Sequence, residues 1–205
     1  MNDAFRRVIA DYEARARREE DLWASLPEEE REARRDEMLL PVGHAAGSLM
    51  NLLIRESGAR RILEVGSSYG YSTAWLAEAA RAVEGRVISL ELSRAKTEYA
   101  HAQLARAGLE GYVEFRVGDA RASLAALTGP FDFALIDLWK DLYIPVFDLL
   151  HPKLAAGALV LADNMLHPES FRALAQAYRA RVRTAADMSS VLLAVGNGLE
   201  LSRYR

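Results

Sequence analysis

Two short runs, Phe133-Ala134-Leu135-Ile136 and Ala158-Leu159-Val160-Leu161, are apolar at every position. A strand with one face in water alternates apolar with polar residues, so uninterrupted runs belong to strands covered on both faces. The rest of the chain must supply that cover, and it does so in regular order. Strand patterns at Ile62–Val65, Arg86–Glu91, Tyr112–Val117, Asp132–Asp137 and Ala158–Asp163 are separated by helical patterns over Ser72–Val83, Arg94–Ala107, Ala120–Leu127 and Leu142–Leu150, and a further helix is expected over Pro168–Arg181. This alternation predicts an α/β fold: a doubly wound, mostly parallel, Rossmann-like sheet with helices on both faces. Tyr112–Val117 alternates charged with apolar residues and is expected at an edge, which places the switch point between the first strand and the Phe133 strand. Asn197-Gly198 between Ser190–Val195 and Leu199–Arg203 is a hairpin signal, bringing the sheet to seven strands with an antiparallel C-terminal pair.

Ahead of the sheet, residues 1–57 read as a helical extension of the same unit, with residues 58–205 as the Rossmann-like domain. Asp3–Trp23 carries Phe5, Val8, Ile9, Tyr12 and Ala16 at helical spacing. Arg15, Arg17 and Arg18 stand near Glu13, Glu19, Glu20 and Asp21 and read as a solvated, salt-bridged surface. Pro27 opens a second helix to about Met38, and Pro41 opens a third through Ile54 that Gly58 is placed to stop. His44 reads as a partly buried structural histidine.

At 205 residues with 51% hydrophobic and 27% charged side chains, the chain suits one globular domain. A formal charge of −3 marks no general nucleic-acid binder. Cysteine is absent, so a metal must take oxygen or imidazole ligands, which favours hard ions such as Mg²⁺. No run approaches the roughly 20 apolar residues of a membrane span, and a cytoplasmic enzyme is the simplest reading.

The first strand ends in Gly66-Ser67-Ser68-Tyr69-Gly70 before a helix begins at about Tyr71 and Ser72. Small residues let a ligand approach the main chain, and free N–H groups at the helix start add a positive field. The turn is therefore a candidate ligand seat. Acids recur where the other strands end: Glu91, Asp119, Asp137, and Asp163 with Asn164. Glu91 follows Gly66 at the offset of an acid that accepts hydrogen bonds from a ribose. Asp119 is equally suited to capping its helix. Asp137, Asp163 and Asn164 offer two carboxylates and an amide oxygen, a set that suits Mg²⁺ or Ca²⁺. Lys140 can reach the same pocket, where a divalent cation would push it toward the neutral form of a base. A plain ion pair of Lys140 with Asp137 or Asp141 is the competing reading.

Ile62–Thr73, Ile136-Asp137-Leu138-Trp139-Lys140 and Ala162-Asp163-Asn164-Met165-Leu166 resemble the cation-dependent O-methyltransferases of the catechol and caffeoyl-CoA type, from about Met38 onward. The resemblance implies that Glu64, Gly66, Ser68, Gly70, Tyr71 and Ser72 seat S-adenosylmethionine, that Glu91 binds its ribose, and that Asp119 and Ala120 lie near its adenine. It further implies that Asp137, Asp163 and Asn164 hold Mg²⁺, with Asp137 also facing the donor, and that Lys140 is the base. Trp139 stands where many relatives have a small residue, and His167 departs from the Trp of plant-type members. Both border the expected acceptor site and leave the donor seat unaffected; it is the family resemblance that implies a small hydroxylated acceptor, catechol-like or phenolic. Relatives that methylate a modified base in transfer RNA keep a nucleic-acid acceptor open. Relatives are commonly homodimers, and the apolar Pro41–Ile54 helix suits such a contact.

Gly66-Ser67-Ser68-Tyr69-Gly70 also fits the G-x-S-x-G elbow of serine hydrolases, with Ser68 as nucleophile. No HGGG-type segment precedes it, and Glu91, Lys140 and Asn164 would then have no role. A nicotinamide dehydrogenase would want Gly at position 68.

Overall fold

Along the first strand, β1 (Arg61–Val65), Ile62 packs into one hydrophobic core while Leu63 and Val65 pack into another. The fourth, β4 (Phe131–Ile136), repeats the division, with Phe133 and Leu135 on the first side and Ala134 and Ile136 on the second. Successive strand side chains point to opposite faces, so a run that is apolar throughout feeds two cores at once. A computed structural model describes the backbone of residues 1–205 and every side chain except those at 28, 32, 33 and 35.

The remaining strands are β2 (Arg86–Glu91), β3 (Val113–Val117), β5 (Leu154–Ala162), β6 (Met188–Leu193) and β7 (Leu199–Tyr204), in the order β3-β2-β1-β4-β5-β7-β6. The first five are parallel and β7 is antiparallel to both neighbours, so the expected seven strands, hairpin and β1/β4 switch point are all present. The alternating strand is indeed at an edge, half-buried at Val113, Phe115 and Arg116.

The first core is covered by α1 (Asp3–Ser25), α3 (His44–Ser57), α4 (Tyr71–Ala82) and α5 (Arg94–Ala107). The second is covered by α6 (Ala120–Ala126), α7 (Tyr143–Leu150) and α8 (Arg172–Thr184). Between α1 and α3 lie a short helix, α2 (Glu28–Arg34), and a 3₁₀ turn over Arg35–Glu37. Three helix starts differ from expectation. The third begins at His44 rather than Pro41, because Leu40 and Gly43 take positive φ values of 45° and 85°. The segments before α7 and α8 close first as 3₁₀ turns, over Lys140–Leu142 and Glu169–Phe171. Phe5, Val8, Ile9 and Tyr12 of α1 are all buried in the first core. Among the described residues no helix is long and apolar enough to cross a membrane.

Candidate active site

Register fixes the rim. Val65 pairs with Leu90 and with Ile136, and Ile136 pairs with Ala162, so the residues that follow these strands leave the sheet together. Gly66 N–H donates to the Leu90 carbonyl at 2.9 Å, Asp137 N–H to that of Val65 at 2.9 Å, and Asp163 N–H to that of Ile136 at 3.2 Å. Open parallel sheets bind their ligands at such a rim, beside the switch point.

The turn after β1 is built tightly. Gly66 has φ +93°, and a Cβ there would lie 2.0 Å from the Asp137 carbonyl oxygen. The turn and the loop after β4 therefore touch directly. Ser68 sits in the left-handed region at φ 47°, and its N–H donates to Glu91 Oε2 at 2.8 Å. Glu91 Oε1 accepts from Ser93 N–H at 2.9 Å, so the expected ribose acid is held at the turn's flank. Ser67 Oγ is buried without a protein partner, which leaves a polar atom in the turn for a ligand. Tyr71 and Ser72 open α4 and are both buried.

Glu64 lies beneath this turn. It is fully buried and accepts from the hydroxyls of Ser72 at 2.7 Å, Thr73 at 2.6 Å and Ser89 at 2.7 Å. Burial raises its pKa from 4.5 to about 7 against the pull of those hydroxyls. Its side chain ties the start of α4 to β1 and β2. Asp119, exposed, caps α6 by accepting from Ala122 N–H at 2.9 Å, and Arg121 is 3.3 Å away. Ala120 packs against the second core.

On the other side of the switch point, Lys140 is only 6% exposed. Its Nζ donates to Asn164 Oδ1 at 2.9 Å and to Tyr143 Oη. Tyr143 Oη in turn donates to the Asp163 carbonyl at 3.3 Å. Lys140 thus belongs to a network reaching the loop after β5, and its charge also acts on Asp137. Burial raises the pKa of Asp163, and the Asp137 charge adds to this; Asn164 N–H and the Lys140 charge act the other way. Burial also raises that of Asp137, against Lys140 and the Tyr143 hydroxyl. Asp163 is 1% exposed and its Oδ1 has no hydrogen-bond partner.

Among the described residues no group of three or more His, Asp or Glu side chains is arranged to hold a metal; the set here is two carboxylates and an amide. Its chemistry still suits a hard cation. The Asp137 charge raises the pKa of the buried Asp163, one oxygen of Asp163 is orphaned, and a divalent ion would satisfy both conditions.

Sequence reasoning missed Tyr143, Thr73 and Ser89, which read as ordinary helix and strand positions. The three-residue spacing of Tyr143 from Lys140 is the one signal that could have flagged it. His44 is exposed rather than partly buried, bonded to Glu13 at 2.9 Å and set edge-on to Trp75 at 5.0 Å. Ser68 makes no hydrogen bond to a histidine among the described residues, so nothing here assembles the hydrolase elbow.

Comparison with known proteins agrees with this geometry. A catechol O-methyltransferase of Mycobacterium tuberculosis is 36% identical over 128 residues, covering 62% of this chain and 58% of that protein. Caffeoyl-CoA O-methyltransferase 2 of Zea mays is 32% identical over 127 residues, 58% of this chain and 47% of that protein. The chain thus spans about half the length of these curated relatives. The crystal structure of the O-methyltransferase TomG from Streptomyces achromogenes, in complex with SAM, superposes with a TM-score of 0.77 at 29% identity, covering 100% of this chain and 90% of that one. The O-methyltransferase family model matches residues 13–204, so the likeness starts inside α1 and not at Met38. A match that takes in the second half of α1, the Gly66 turn, the acid loops and the hairpin as one continuous unit places the chain in the O-methyltransferase family.

Proposed function

We propose that this chain transfers a methyl group from S-adenosylmethionine to a hydroxyl of a small catechol-like or phenolic acceptor, with a divalent cation, Mg²⁺ in the first instance, held by Asp137, Asp163 and Asn164. The observation that carries this reading is the contact between Gly66 and Asp137, which makes the donor turn and the acid cluster parts of one wall.

Each residue has a role that follows from its place. Glu91, already aligned by the N–H groups of Ser68 and Ser93, has lone pairs left for the two ribose hydroxyls. Ser67, Gly66 and Gly70 present main chain and a hydroxyl to the donor, and Tyr71 and Ser72 bring the start of α4 to it. Glu64 acts from below by holding Ser72. Asp119 and Ala120 flank the adenine side at the start of α6. Bound at the acid cluster, the cation would supply Lewis acidity that lowers an acceptor hydroxyl's pKa. Lys140, anchored by Tyr143 and Asn164, takes the hydroxyl proton. Trp139, 47% exposed in the loop between Asp137 and Lys140, offers an aromatic face to an acceptor ring. The sulfonium donor and the developing oxyanion neutralise each other, so the rate depends chiefly on alignment.

The test is a methyl-transfer screen with labelled donor and Mg²⁺ across catechols, acyl-CoA phenolics, flavonoids and transfer RNA. Transfer to a catechol or phenolic hydroxyl is expected. Transfer to RNA alone would overturn the acceptor class, and transfer that survives excess chelator would overturn the cation.

A further inference from the structure

Arg15 does not sit on a solvated charged surface. It is 19% exposed, with its guanidinium 4.0 Å from the Tyr69 ring centroid and 4.9 Å from that of Tyr99. Tyr69 is the one large side chain of the donor turn, and it is gripped at both ends. Its carbonyl accepts from Tyr12 Oη at 2.6 Å, and its own hydroxyl donates to the Glu37 carbonyl at 3.1 Å. The Tyr69 and Tyr99 rings meet edge to face at 5.4 Å. Glu19 closes the frame, taking Arg15 Nε on one oxygen at 2.6 Å and Leu39 N–H on the other at 2.6 Å. Room for the Tyr12 hydroxyl comes from Gly70, where a Cβ would lie 3.2 Å from it.

We propose that α1 is the outer brace of the donor turn, with Tyr12 and Arg15 as positioning residues that set affinity for the methyl donor. The physical reason lies in the turn itself. Ser68 holds a left-handed backbone that a non-glycine residue adopts only when its surroundings impose it. From the sheet side the imposition is the bond from Ser68 N–H to Glu91. From the outer side it is Tyr12 on the next residue's carbonyl. With the outer bond removed, the turn gains conformations in which Glu91 and the Ser67 hydroxyl no longer face one ligand, and binding must repay the ordering. Neither brace residue needs to touch the donor.

This inference rests on the Gly66 turn being the donor seat. S-adenosylhomocysteine binding by the full chain, measured calorimetrically without acceptor or metal, separates the two. Tyr12→Phe keeps the ring and removes only the tethering hydroxyl; the Kd is expected to rise about fivefold, the effect of roughly one weak hydrogen bond. Arg15→Met keeps the packing volume and is expected to raise it by a smaller factor. Arg106→Ala is the control, because Arg106 binds Asp11 of α1 at 2.6 Å without touching the turn, and its Kd is expected to match wild type. A wild-type Kd for both Tyr12→Phe and Arg15→Met would overturn the brace, as would an equal rise in Arg106→Ala, which would make the effect one of general α1 docking. Failure of the wild-type protein to bind S-adenosylhomocysteine would overturn the donor seat itself.

Discussion

Lys140 Nζ donates to Asn164 Oδ1 at 2.9 Å, joining the loop that follows β4 to the loop that follows β5. The side chain is nearly enclosed, so its position is set by protein partners and not by water. With Tyr143 Oη between Lys140 and the Asp163 carbonyl, the proposed base is held by the same loop that carries two of the three proposed cation ligands. Under that proposal, proton removal and cation placement are mechanically tied.

Replacing Lys140 by Met should lower kcat by about 10²- to 10⁴-fold, the usual contribution of a positioned base. Lys140 is anchored on Tyr143 and Asn164, on the acid-cluster side of the site, so the Kd for S-adenosylhomocysteine should be unchanged. A variant with near-normal kcat would remove Lys140 from the chemistry.

Asp163→Ala should abolish turnover and tight Mn²⁺ binding read by electron paramagnetic resonance, while donor binding persists. Asp163 Oδ1 has no protein partner, so that oxygen is free to ligate a cation in the wild-type protein. Chelation of the wild-type protein should reproduce the loss, and added Mg²⁺ should reverse it. Undiminished Mn²⁺ binding by the variant would place the cation elsewhere.

The difference between what could and could not be read from the residues follows from range. The edge strand and the switch point were legible because burial on one face or two is written into each strand: Phe133–Ile136 is apolar throughout and central, whereas Val113–Val117 alternates and lies at the edge. The rim acids were legible because each stands at the end of a strand or within two residues of it. Arg15 was misread because its neighbours in sequence are acids, while the partners that bury it, Tyr69 and Tyr99, are more than fifty residues away. Tyr143 was hidden for a related reason. A tyrosine in an apolar helix reads as core, and only the tertiary contact shows its hydroxyl turned to Lys140. The start of α3 was placed early because Pro41 is a good first helical residue, but the left-handed turns at Leu40 and Gly43 override it.

Gly66→Ala should cost more than about 2 kcal/mol, through a left-handed φ and a Cβ overlapping the Asp137 carbonyl oxygen. Gly108→Ala separates the two causes. Gly108 has φ +66° with nothing within 4 Å of its would-be Cβ, so it carries the strain alone, about 1 kcal/mol. Urea unfolding of the two variants should show the difference, and equal losses would mean that the β4 loop yields freely to the added methyl.

Glu64 makes stability depend on pH in a direction opposite to that of most carboxylates. Its folded-state pKa is raised from 4.5 to about 7, so between those values the folded protein binds a proton that the unfolded chain has released. That proton favours the folded state fully below about pH 4.5, and the contribution is lost as pH rises through 7. A shift of that size in a fully buried group corresponds to about 3 kcal/mol, as an order of magnitude. Asp137 and Asp163 are shifted in the same direction in the metal-free protein, so the wild-type slope alone does not isolate Glu64. Glu64→Gln does: its one carbonyl oxygen can still accept from Thr73 and Ser89, its NH2 can donate to the Ser72 hydroxyl oxygen, and it cannot titrate. Urea unfolding at pH 5 and pH 7.5 should show the variant gaining on wild type as pH rises. Parallel stability curves for the two proteins would show that Glu64 is ionised in the folded state across the whole range, with its three hydroxyl partners outweighing its burial.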